Sequence, residues 1–527
     1  MISLYKISED LFNIFILPTI IFLSFCFSFI AANINRPELN ILSLVVIFII
    51  FESAILAFYF FIKWFALSVH YLRGLSLFWA IFFLLQWYFV PFQNLMMIYT
   101  GESHRYVLFF FIFIFSVLVG FTAKNNIVYR LFLNFCLIFF VLTFSKLVFA
   151  FFTNPAKFNH PEPAIAKLPY QTHSPQPKYK NIYYFITDEL GSQKGLQQAG
   201  IDTTYLLEFK NALKGVGFTI LENNLSSYNV TYLSIQSIFD MGYPVDEKSS
   251  GYKNISTFYS NSLRQNNESL LEKQLKAFGY QKLIYFGNEF HNCNALRKNI
   301  ICGMGVKKSF INNFLMDYTF NTFIEMSLFK SILERLGLLY GQINTLDYVS
   351  EYIQLHKKNI RPQFLFVHII MPHPPYRTQS CERDNRYQIT GLINKDLYFK
   401  LTKHMYSNSI KCLENQLIPV LESIMKQDPD AIIIVQGDHG SGFPYSVEQA
   451  KNQVSKNALN EMFSAFNAIK MPSACYNHLP ASLGNVNTIR LALACAAGVN
   501  PKLLEEKHFI AYYETQHGFG KVSPYKA

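Results

Sequence analysis

The chain has 527 residues, which is enough for more than one domain. Hydrophobic residues make up 51% and aromatic residues 17% of the chain, and the apolar excess lies before about residue 152. The formal net charge is +11, but the basic residues are scattered and no nucleic-acid-binding motif is present, which argues against a nucleic-acid partner. A basic balance suits anionic lipid head groups or phosphate-bearing substrates.

Five long apolar stretches fill the N-terminal part of the chain. A helix needs roughly 20 mainly apolar residues to cross a bilayer, and each stretch comes close to that length. The first is too long and too apolar for a cleaved secretory signal, so we interpret it as a retained helix. The sequence predicts a five-helix transmembrane domain over residues 1–152, with helices at 11–34, 41–62, 75–99, 106–123 and 131–152.

Lysine and arginine residues in the short loops indicate the orientation of these helices. With a cytoplasmic N-terminus, the inside segments carry Lys6, Lys63, Arg73, Lys124 and Arg130, and the outside loops carry only Arg36 and Arg105. Five spans then place the rest of the chain outside the cytoplasm. The expectation is a multi-pass protein of the inner (cytoplasmic) membrane, with a proline-rich linker over 153–180 and a periplasmic domain over 181–527.

Glu52 is an acidic residue inside the second apolar stretch. A carboxyl group at this depth costs free energy and is often functional. The alternative is a protonated side chain that is hydrogen-bonded to a neighbouring helix.

Six of the eight cysteines lie in the predicted periplasmic domain, an even number that suggests disulfide bonds. Proximity in sequence favours Cys293 with Cys302, and Cys381 with Cys412 is the second pairing that we expect. A metal site made of cysteines would require a Cys-x-x-Cys pair, which the sequence lacks.

Strand-like and helix-like segments alternate from residue 181 onward. Apolar runs at 182–187, 282–286, 364–370 and 431–435 predict strands, and helical spacing recurs at 204–213, 231–239, 270–278, 397–425 and 487–497. This alternation predicts an α/β domain with a mainly parallel sheet between helices. Ligands bind at the carboxyl ends of the strands in such sheets.

Asp438 and His439 follow the last of these predicted strands and lie between Gly437 and Gly440. A carboxylate and an imidazole from adjacent residues can both bind one divalent metal ion if the chain bends there. Glycine lets the backbone turn tightly near a bound ion. A solvated loop pair is the alternative interpretation.

Asp188 is the first charged residue after the strand at 182–187, and it could supply a second carboxylate ligand. Its neighbour Glu189 could serve instead. Aspartate is also favoured as a helix N-cap, and this role is compatible with metal binding.

Thr231 begins a predicted helix, where free N–H groups and the helix dipole favour negative charge. Metal binding to its hydroxyl would favour the alkoxide and make it a nucleophile. A plain N-cap is the alternative role for Thr231. Ser226, Ser227 and Ser234 are the alternative nucleophiles.

Two histidines accompany the strand at 364–370. His368 lies within the strand, and His373 follows it in the segment Met371-Pro372-His373-Pro374-Pro375. His373 could hydrogen-bond a phosphate oxygen or protonate a leaving group. A buried core histidine is the alternative reading of His368.

Together these motifs resemble the membrane-anchored sulfatase-like hydrolase/transferase family of the alkaline-phosphatase superfamily. Its relatives include phosphoethanolamine transferases and the phosphoglycerol transferases that make lipoteichoic acid. The shared features are N-terminal spans, a strand that ends in an acidic residue, a Thr-x-x-Ser helix start, a Pro-His-x-Pro loop, an Asp-His-Gly turn and the stretch Val486-Asn487-Thr488-Ile489-Arg490. The resemblance covers most of residues 181–500 and implies an alkaline-phosphatase-like domain.

The resemblance implies a role for each of these residues. Thr231 would be the nucleophile that forms a phospho-threonine intermediate. One divalent ion, zinc or manganese, would be held by Asp188, Asp438, His439 and the Thr231 oxygen, and His368 and His373 would contact the substrate phosphate. The implied reaction moves a phosphoethanolamine- or phosphoglycerol-type group from a membrane phospholipid to an envelope glycolipid or glycan.

The sequence departs from the family pattern in three ways. Transferase branches often carry glutamate at the first ligand position, where Asp188 fits best here. The Asp-x-x-x-His pair of two-metal members is missing, which favours a single ion. The Cys-x-Pro-x-Arg signature of true sulfatases is also missing, so we do not expect sulfatase activity.

Two other functions remain open at this point. The same site could serve a phosphodiesterase or phosphatase, because pocket shape rather than these motifs selects the acceptor. A catalytically inactive regulatory membrane protein could also use this scaffold.

Overall fold

The computed structural model describes most of the chain. The described residues are 2–33, 39–64, 69–87, 105–122, 125–153, 168–170, 179–245, 268–280, 282–287, 300–303, 319–320, 345–355, 362–382, 395–442, 455–513 and 520–525. The chain forms two compact units, one of residues 1–158 and 306–341, and one of residues 159–305 and 342–527. Most of the proline-rich linker lies outside the described residues.

In the part of the chain that the structure describes, the first unit contains five apolar helices: α1 (Ile2–Asn33), α2 (Ile41–Trp64), α3 (Val69–Trp87), α4 (Arg105–Thr122) and α5 (Asn126–Thr153). Within the described residues, three segments are long and apolar enough to cross a membrane: Ile14–Ala32, Ile41–Phe61 and Asn126–Phe152. The apolar segments Arg73–Leu85 and Phe110–Thr122 are shorter. Membrane anchoring by these helices agrees with the sequence, whereas the five-span bundle stays a prediction. Part of the predicted third span lies beyond residue 87, outside the described residues.

Polar and small residues join the helices of this unit. The Thr19 hydroxyl donates a hydrogen bond to Glu52 at 2.7 Å, which links α1 to α2 as one interpretation of Glu52 anticipated. Gly74 and Gly120 let α3 and α4 approach closely, since a Cβ added at either one would lie 2.9 Å from the carbonyl oxygen of the other. The backbone N–H of Asn40 donates to the Thr319 hydroxyl at 2.7 Å, so a residue far along the chain belongs to this unit.

The second unit is built around a seven-stranded sheet. Its strands are β1 (Ile182–Thr187), β2 (Thr219–Ile220), β3 (Lys282–Gly287), β4 (Ile300–Gly303), β5 (Gln363–Ile369), β6 (Ile432–Gly437) and β7 (Asn467–Lys470). The strand order is β2-β7-β6-β1-β5-β3-β4. The pairs β6–β1, β1–β5, β5–β3 and β3–β4 are parallel, and β7 runs antiparallel to β6 and to β2. The predicted mainly parallel sheet is confirmed.

Alternation along the central strands creates two apolar layers. In β1, Tyr183 and Phe185 face one cluster, and Ile182, Tyr184 and Ile186 face the other. Every residue of this strand is buried, which explains why it appears in the sequence as a continuous apolar run.

Helices cover both faces of the sheet. Their bounds are α6 (Gln193–Gln198), α7 (Thr204–Gly215), α8 (Thr231–Phe239), α9 (Leu270–Ala277), α10 (Thr345–Leu355), α11 (Lys395–Gln427), α12 (Lys456–Phe463) and α13 (Asn485–Ala497), with a 3₁₀ helix at Ser473–His478. Helices α7, α10 and α11 pack in one layer, and α8, α9 and α13 pack in the other. Local signals define some starts: Ser269 and Glu272 form a reciprocal capping box at α9.

A two-stranded antiparallel hairpin of β8 (His508–Tyr513) and β9 (Gly520–Tyr525) completes the described fold. The expected disulfide between Cys381 and Cys412 is confirmed, and Cys475 and Cys495 form a second one. The predicted pairing of Cys293 with Cys302 involves Cys293, which lies outside the described residues.

Candidate active site

Three neighbouring strands end at the candidate site. Asp188 directly follows β1, Asp438 directly follows β6, and His373 follows β5 in the next loop. Because β6, β1 and β5 are adjacent and parallel, their carboxyl ends meet at one edge of the sheet. This edge is where the sequence placed a site.

Asp438 is fully buried at this edge. Its Oδ1 accepts hydrogen bonds from the N–H groups of Glu189 at 3.0 Å and His439 at 2.9 Å. Its Oδ2 lies 3.3 Å from Nε2 of His439 and accepts no hydrogen bond from any described residue. A cation stabilises a buried carboxylate when one of its oxygens accepts no hydrogen bond, so the Asp438 carboxylate fits a metal ligand.

The His439 ring is oriented by its own loop. Its Nδ1 lies 2.8 Å from the carbonyl oxygen of Gly440, and because a carbonyl can only accept, Nδ1 carries the proton and donates. In the neutral tautomer with this proton, Nε2 presents a lone pair. A backbone bond of this kind fixes the orientation and tautomer of many metal-binding histidines.

Thr231 is the first residue of α8, and its side chain points into the same cluster. Its Oγ1 lies 3.1 Å from Nε2 of His439 and 3.3 Å from Oδ1 of Asp188. Val230 precedes it in an extended conformation and provides no side-chain cap. The N–H groups of the first turn and the helix dipole therefore favour negative charge near this hydroxyl.

The hydroxyls of the alternative serines differ from that of Thr231 in their surroundings. The hydroxyls of Ser226 and Ser234 both donate to the carbonyl oxygen of Tyr228, at 2.7 and 3.0 Å, and all three residues are buried. Ser227 is fully buried, and its Oγ makes no hydrogen bond within the described residues. Of these hydroxyls, Thr231 is the one placed against the acidic and imidazole groups.

Asp188, Asp438 and His439 could hold one metal ion. Each offers a ligand atom, these atoms all lie within 4.8 Å of one another, and all three residues are buried. Glu189 is not part of this group. Its backbone has a positive φ of 62°, and its Oε1 is directed toward His373 at 4.0 Å from Nε2.

The two histidines of the β5 region differ in environment. His368 is 2% exposed, and its Nε2 lies 3.7 Å from Oδ2 of Asp188. Burial lowers the pKa of His368 to about 4, against the opposing charge of Asp438, so its ring is neutral at pH 7. His373 is half-buried, and its N–H donates to the Asp188 carbonyl oxygen at 3.1 Å. Its Nδ1 donates to the Pro374 carbonyl oxygen at 2.6 Å.

The glycines beside Asp438 are needed because there is no room for a side chain, and not because of their backbone freedom. A Cβ at Gly437 would lie 2.2 Å from the Leu190 carbonyl oxygen, and a Cβ at Gly440 would lie 1.9 Å from the Glu461 carbonyl oxygen. Neither glycine is among the described residues with a positive φ. The sequence argument from tight turning is therefore wrong in its reason: these positions require glycine because backbone packs directly on them.

Three supporting residues were not identified from the sequence. The Asn485 amide at the start of α13 donates to the carbonyl oxygens of Gly437 and Asp438, at 3.2 and 3.3 Å. The Tyr406 hydroxyl donates to the Glu189 carbonyl oxygen at 2.6 Å. The third residue is the buried Glu461.

Glu461 accepts a hydrogen bond from the Ser441 hydroxyl in the loop after His439. Burial raises the pKa of Glu461 to about 7, although this hydrogen bond and the charge of Lys403 act in the opposite direction. Of the three supporting residues, only Asn485 had a signal in the sequence, because it lies next to the recognised stretch 486–490.

A protein-family model described as Sulfatase matches residues 180–479, which is more than half of the chain. No curated protein matches the chain. Solved structures show distant likeness, among them the zinc complex of the C-terminal periplasmic domain of EcEptC from Escherichia coli, with 11% identity over 64% of this chain and 90% of that one and a TM-score of 0.39.

Two further structures are similar at the same level. The phosphonate monoester hydrolase SpPMH from Silicibacter pomeroyi is 12% identical over 63% of this chain and 80% of its own, with a TM-score of 0.39. A protein in the alkaline phosphatase superfamily from Vibrio parahaemolyticus is 16% identical over 64% of this chain and 74% of its own, with a TM-score of 0.38.

Proposed function

Because the chain belongs to the sulfatase family, we propose that it is a membrane-anchored, metal-dependent phosphoryl-group transferase that uses Thr231 as its nucleophile. The observation that supports this proposal most directly is the position of the Thr231 Oγ1, 3.1 Å from His439 and 3.3 Å from Asp188. A hydroxyl at a helix start that is packed among metal-ligand side chains has the setting of an activated nucleophile.

Asp188, Asp438, His439 and the Thr231 oxygen would hold one divalent ion. Two carboxylates, one imidazole nitrogen and one hydroxyl suit zinc or manganese. When bound, such an ion lowers the pKa of the hydroxyl and balances charge on the phosphoryl oxygens.

The reaction would run in two displacements. In the first, Oγ1 of Thr231 loses its proton and bonds to the phosphorus of a phospholipid, and the bond from phosphorus to the diacylglycerol oxygen breaks. The diacylglycerol leaves as a neutral alcohol after it takes a proton. The head group and its phosphate remain on Thr231.

In the second displacement, an acceptor hydroxyl bonds to the same phosphorus and the bond to Oγ1 breaks. Thr231 recovers a proton and the head-group phosphate is transferred. His373 is half-buried in the loop after β5, where it could pass protons to and from these oxygens. His368 is neutral, so it would orient the substrate by hydrogen bonding rather than by charge.

The proposed donor is a membrane phospholipid that carries a phosphoethanolamine- or phosphoglycerol-type group, and the proposed acceptor is an envelope glycolipid or glycan. The apolar helices of the first unit would keep the enzyme in the membrane that contains the donor. We place the second unit on the periplasmic side of the inner membrane, from the distribution of lysine and arginine in the loops.

The decisive experiment is mass spectrometry of the full chain after incubation with mixed micelles of phosphatidylethanolamine and phosphatidylglycerol. We expect an added phosphoethanolamine or phosphoglycerol mass on the peptide that contains Thr231, and none in Thr231→Ala. If the wild-type enzyme consumes lipid while its Thr231 peptide stays unmodified, the covalent route is ruled out. In a second incubation with an added glycolipid or glycan acceptor, release of head-group phosphate without labelling of that acceptor would make the enzyme a phosphodiesterase instead.

A further inference from the structure

The C-terminal hairpin of β8 and β9 lies beyond the residues that the family model matches, which end at residue 479. It nevertheless packs on the five-residue segment that leads into the proposed nucleophile, residues 226–230. A contribution of this hairpin to the site would therefore come from outside the matched residues.

Hydrogen bonds and a ring contact join the hairpin to this segment. The Phe509 N–H donates to the Ser227 carbonyl oxygen at 2.9 Å, and the ring Nδ1 of His508 donates to the Ser226 carbonyl oxygen at 2.8 Å. Tyr228 pairs with Phe509 in a parallel bridge, and their rings stack with centroids 5.6 Å apart. The segment therefore lies beside β8 much as an additional strand would.

Asn229 makes the most specific of these contacts. Its side chain is buried, its Nδ2 donates to the Ala511 carbonyl oxygen at 3.1 Å, and its Oδ1 accepts from the Ala511 N–H at 2.7 Å. A carboxamide is a side chain with a donor and an acceptor side by side, so it satisfies both polar groups of one strand residue. The paired bonds fix the direction of the backbone two residues before Thr231.

An apolar cluster reinforces this arrangement on both sides of Thr231. Val230 and Leu233 pack with Phe509, Ala511 and Val522 of the hairpin. The start of α8 has no side-chain cap of its own, since Val230 occupies the N-cap position. The hairpin therefore supports the start of the helix through the residues that precede it.

We infer that Asn229 is a positioning residue for Thr231, which holds the nucleophile in register through its paired hydrogen bonds to Ala511 of the C-terminal hairpin. This inference rests on the proposed function. Asp438 and His439 are held instead by bonds to Glu189, Gly440 and Asn485. Loss of the Asn229 contact should consequently displace Thr231 and leave the other three proposed ligands, Asp188, Asp438 and His439, in place.

Asn487 provides a matched control. It is equally buried, and its amide makes the same paired bonds with one backbone residue, Leu504, at 2.8 Å for both donor and acceptor. It also donates to the Glu506 carboxylate at 2.9 Å. Asn487→Ala therefore removes a comparable contact from the same unit without touching the segment before Thr231. Asn229→Ser keeps a neutral polar side chain in this buried position but is too short to make both bonds to Ala511, so it serves if Asn229→Ala does not fold.

The experiment measures kcat, KM, manganese affinity and thermal midpoint for the full chain in detergent, with bis(p-nitrophenyl) phosphate as substrate. We expect Asn229→Ala to lower kcat about 100-fold, since a displacement of about 1 Å at a reacting group has an effect of that size. KM should stay within about twofold of wild type. Manganese affinity should fall by no more than about tenfold, because three of the four proposed ligands, Asp188, Asp438 and His439, stay in place. Asn487→Ala should lower the thermal midpoint comparably and keep kcat.

Each outcome separates the inference from the function on which it rests. Equal kcat values for the Asn229 and Asn487 variants, in an active wild type, would overturn the positioning role and leave the proposed function intact. Loss of manganese binding in Asn229→Ala would also overturn it, because the effect would then extend to the whole site. A wild type that never turns over the diester, with manganese bound, would overturn the proposed function and the inference with it.

Discussion

The hydroxyl oxygen of Thr231 lies 3.1 Å from Nε2 of His439, although 208 positions separate the two residues in the chain. The contact joins the start of α8 to the loop after β6. The carboxylate of Asp188, at the end of β1, lies 3.3 Å from the same hydroxyl oxygen. In the neutral tautomer that donates from Nδ1 to Gly440, the nitrogen that faces Thr231 carries a lone pair. This pair of residues is the part of the site on which the proposed chemistry depends.

The first prediction concerns the nucleophile. Thr231→Ala should lower kcat by about 10³-fold or more, because it removes the hydroxyl that lies 3.1 Å from His439 and 3.3 Å from Asp188. Thr231→Ser keeps the hydroxyl and should stay within about tenfold of wild type. Steady-state kinetics on a phosphodiester measures both variants. An alanine variant as active as the serine variant would require a different nucleophile.

A second prediction concerns metal binding by Asp438. Asp438→Asn keeps an oxygen to accept the N–H groups of Glu189 and His439 but removes the buried charge. We expect metal affinity to fall by at least about 100-fold, since changes even to residues behind a metal ligand cost 10- to 100-fold. Asp430→Asn, an exposed change before β6, is the control. Metal analysis of the purified chain would count against the assignment if both variants kept a full equivalent.

The third prediction separates Asp188 from Glu189, which the sequence alone left open. The Glu189 carboxylate is directed toward His373, and only its backbone N–H contacts Asp438. Glu189→Gln should therefore keep wild-type metal occupancy, whereas Asp188→Asn should lose it. Metal occupancy in the two variants, purified in parallel, gives the answer. The opposite pattern would make Glu189 the ligand.

The site residues could be found from the sequence because each one interrupts a simple pattern. Asp188 and Asp438 end continuous apolar runs, and buried strands of a parallel sheet give such runs. The predicted helix at Thr231 begins and ends as the structure has it, at Thr231–Phe239. The roles of these residues stay proposals, since the geometry shows proximity and not reaction.

The parts that escaped prediction depend on partners distant in sequence. Strand β7 has four residues, and β2 has two, so neither shows a period of its own. The contact between Asn229 and the hairpin joins residues that are 282 positions apart in the chain, so the sequence alone does not show the role of either one. Tyr406 lies in the middle of α11, and nothing in the local pattern marks it as a support for Glu189.

A fourth prediction concerns the disulfide bonds of the second unit. The pair Cys381–Cys412 is separated by 31 positions, and a crosslink over such a loop contributes about 3 to 4 kcal/mol in the chain-entropy account. The double change Cys381→Ser with Cys412→Ser should lower the thermal midpoint and make it less sensitive to reductant. Cys136→Ala, at a free cysteine of the first unit, is the control. A midpoint that does not respond to the double change would mean that the bond adds no stability.

The last prediction concerns Glu461, whose pKa is raised by burial from an ordinary 4.5 to about 7. In the unfolded chain this carboxyl loses its proton near pH 4.5, whereas the folded protein keeps it until about pH 7. The folded state binds more protons in that window, so the free energy of unfolding falls as the pH rises through it. The loss is on the order of 3 kcal/mol for a buried group with this pKa difference.

Glu461→Gln should remove this dependence, because glutamine stays neutral and can still accept the hydrogen bond from Ser441. Thermal unfolding of the full chain should show similar midpoints for the variant and wild type near pH 4.5 and a higher midpoint for the variant at pH 8. Glu422→Gln, an exposed change on α11, should follow wild type at both values. Parallel pH profiles for wild type and Glu461→Gln would show that Glu461 is already ionised in the folded protein, and burial would then not control its charge.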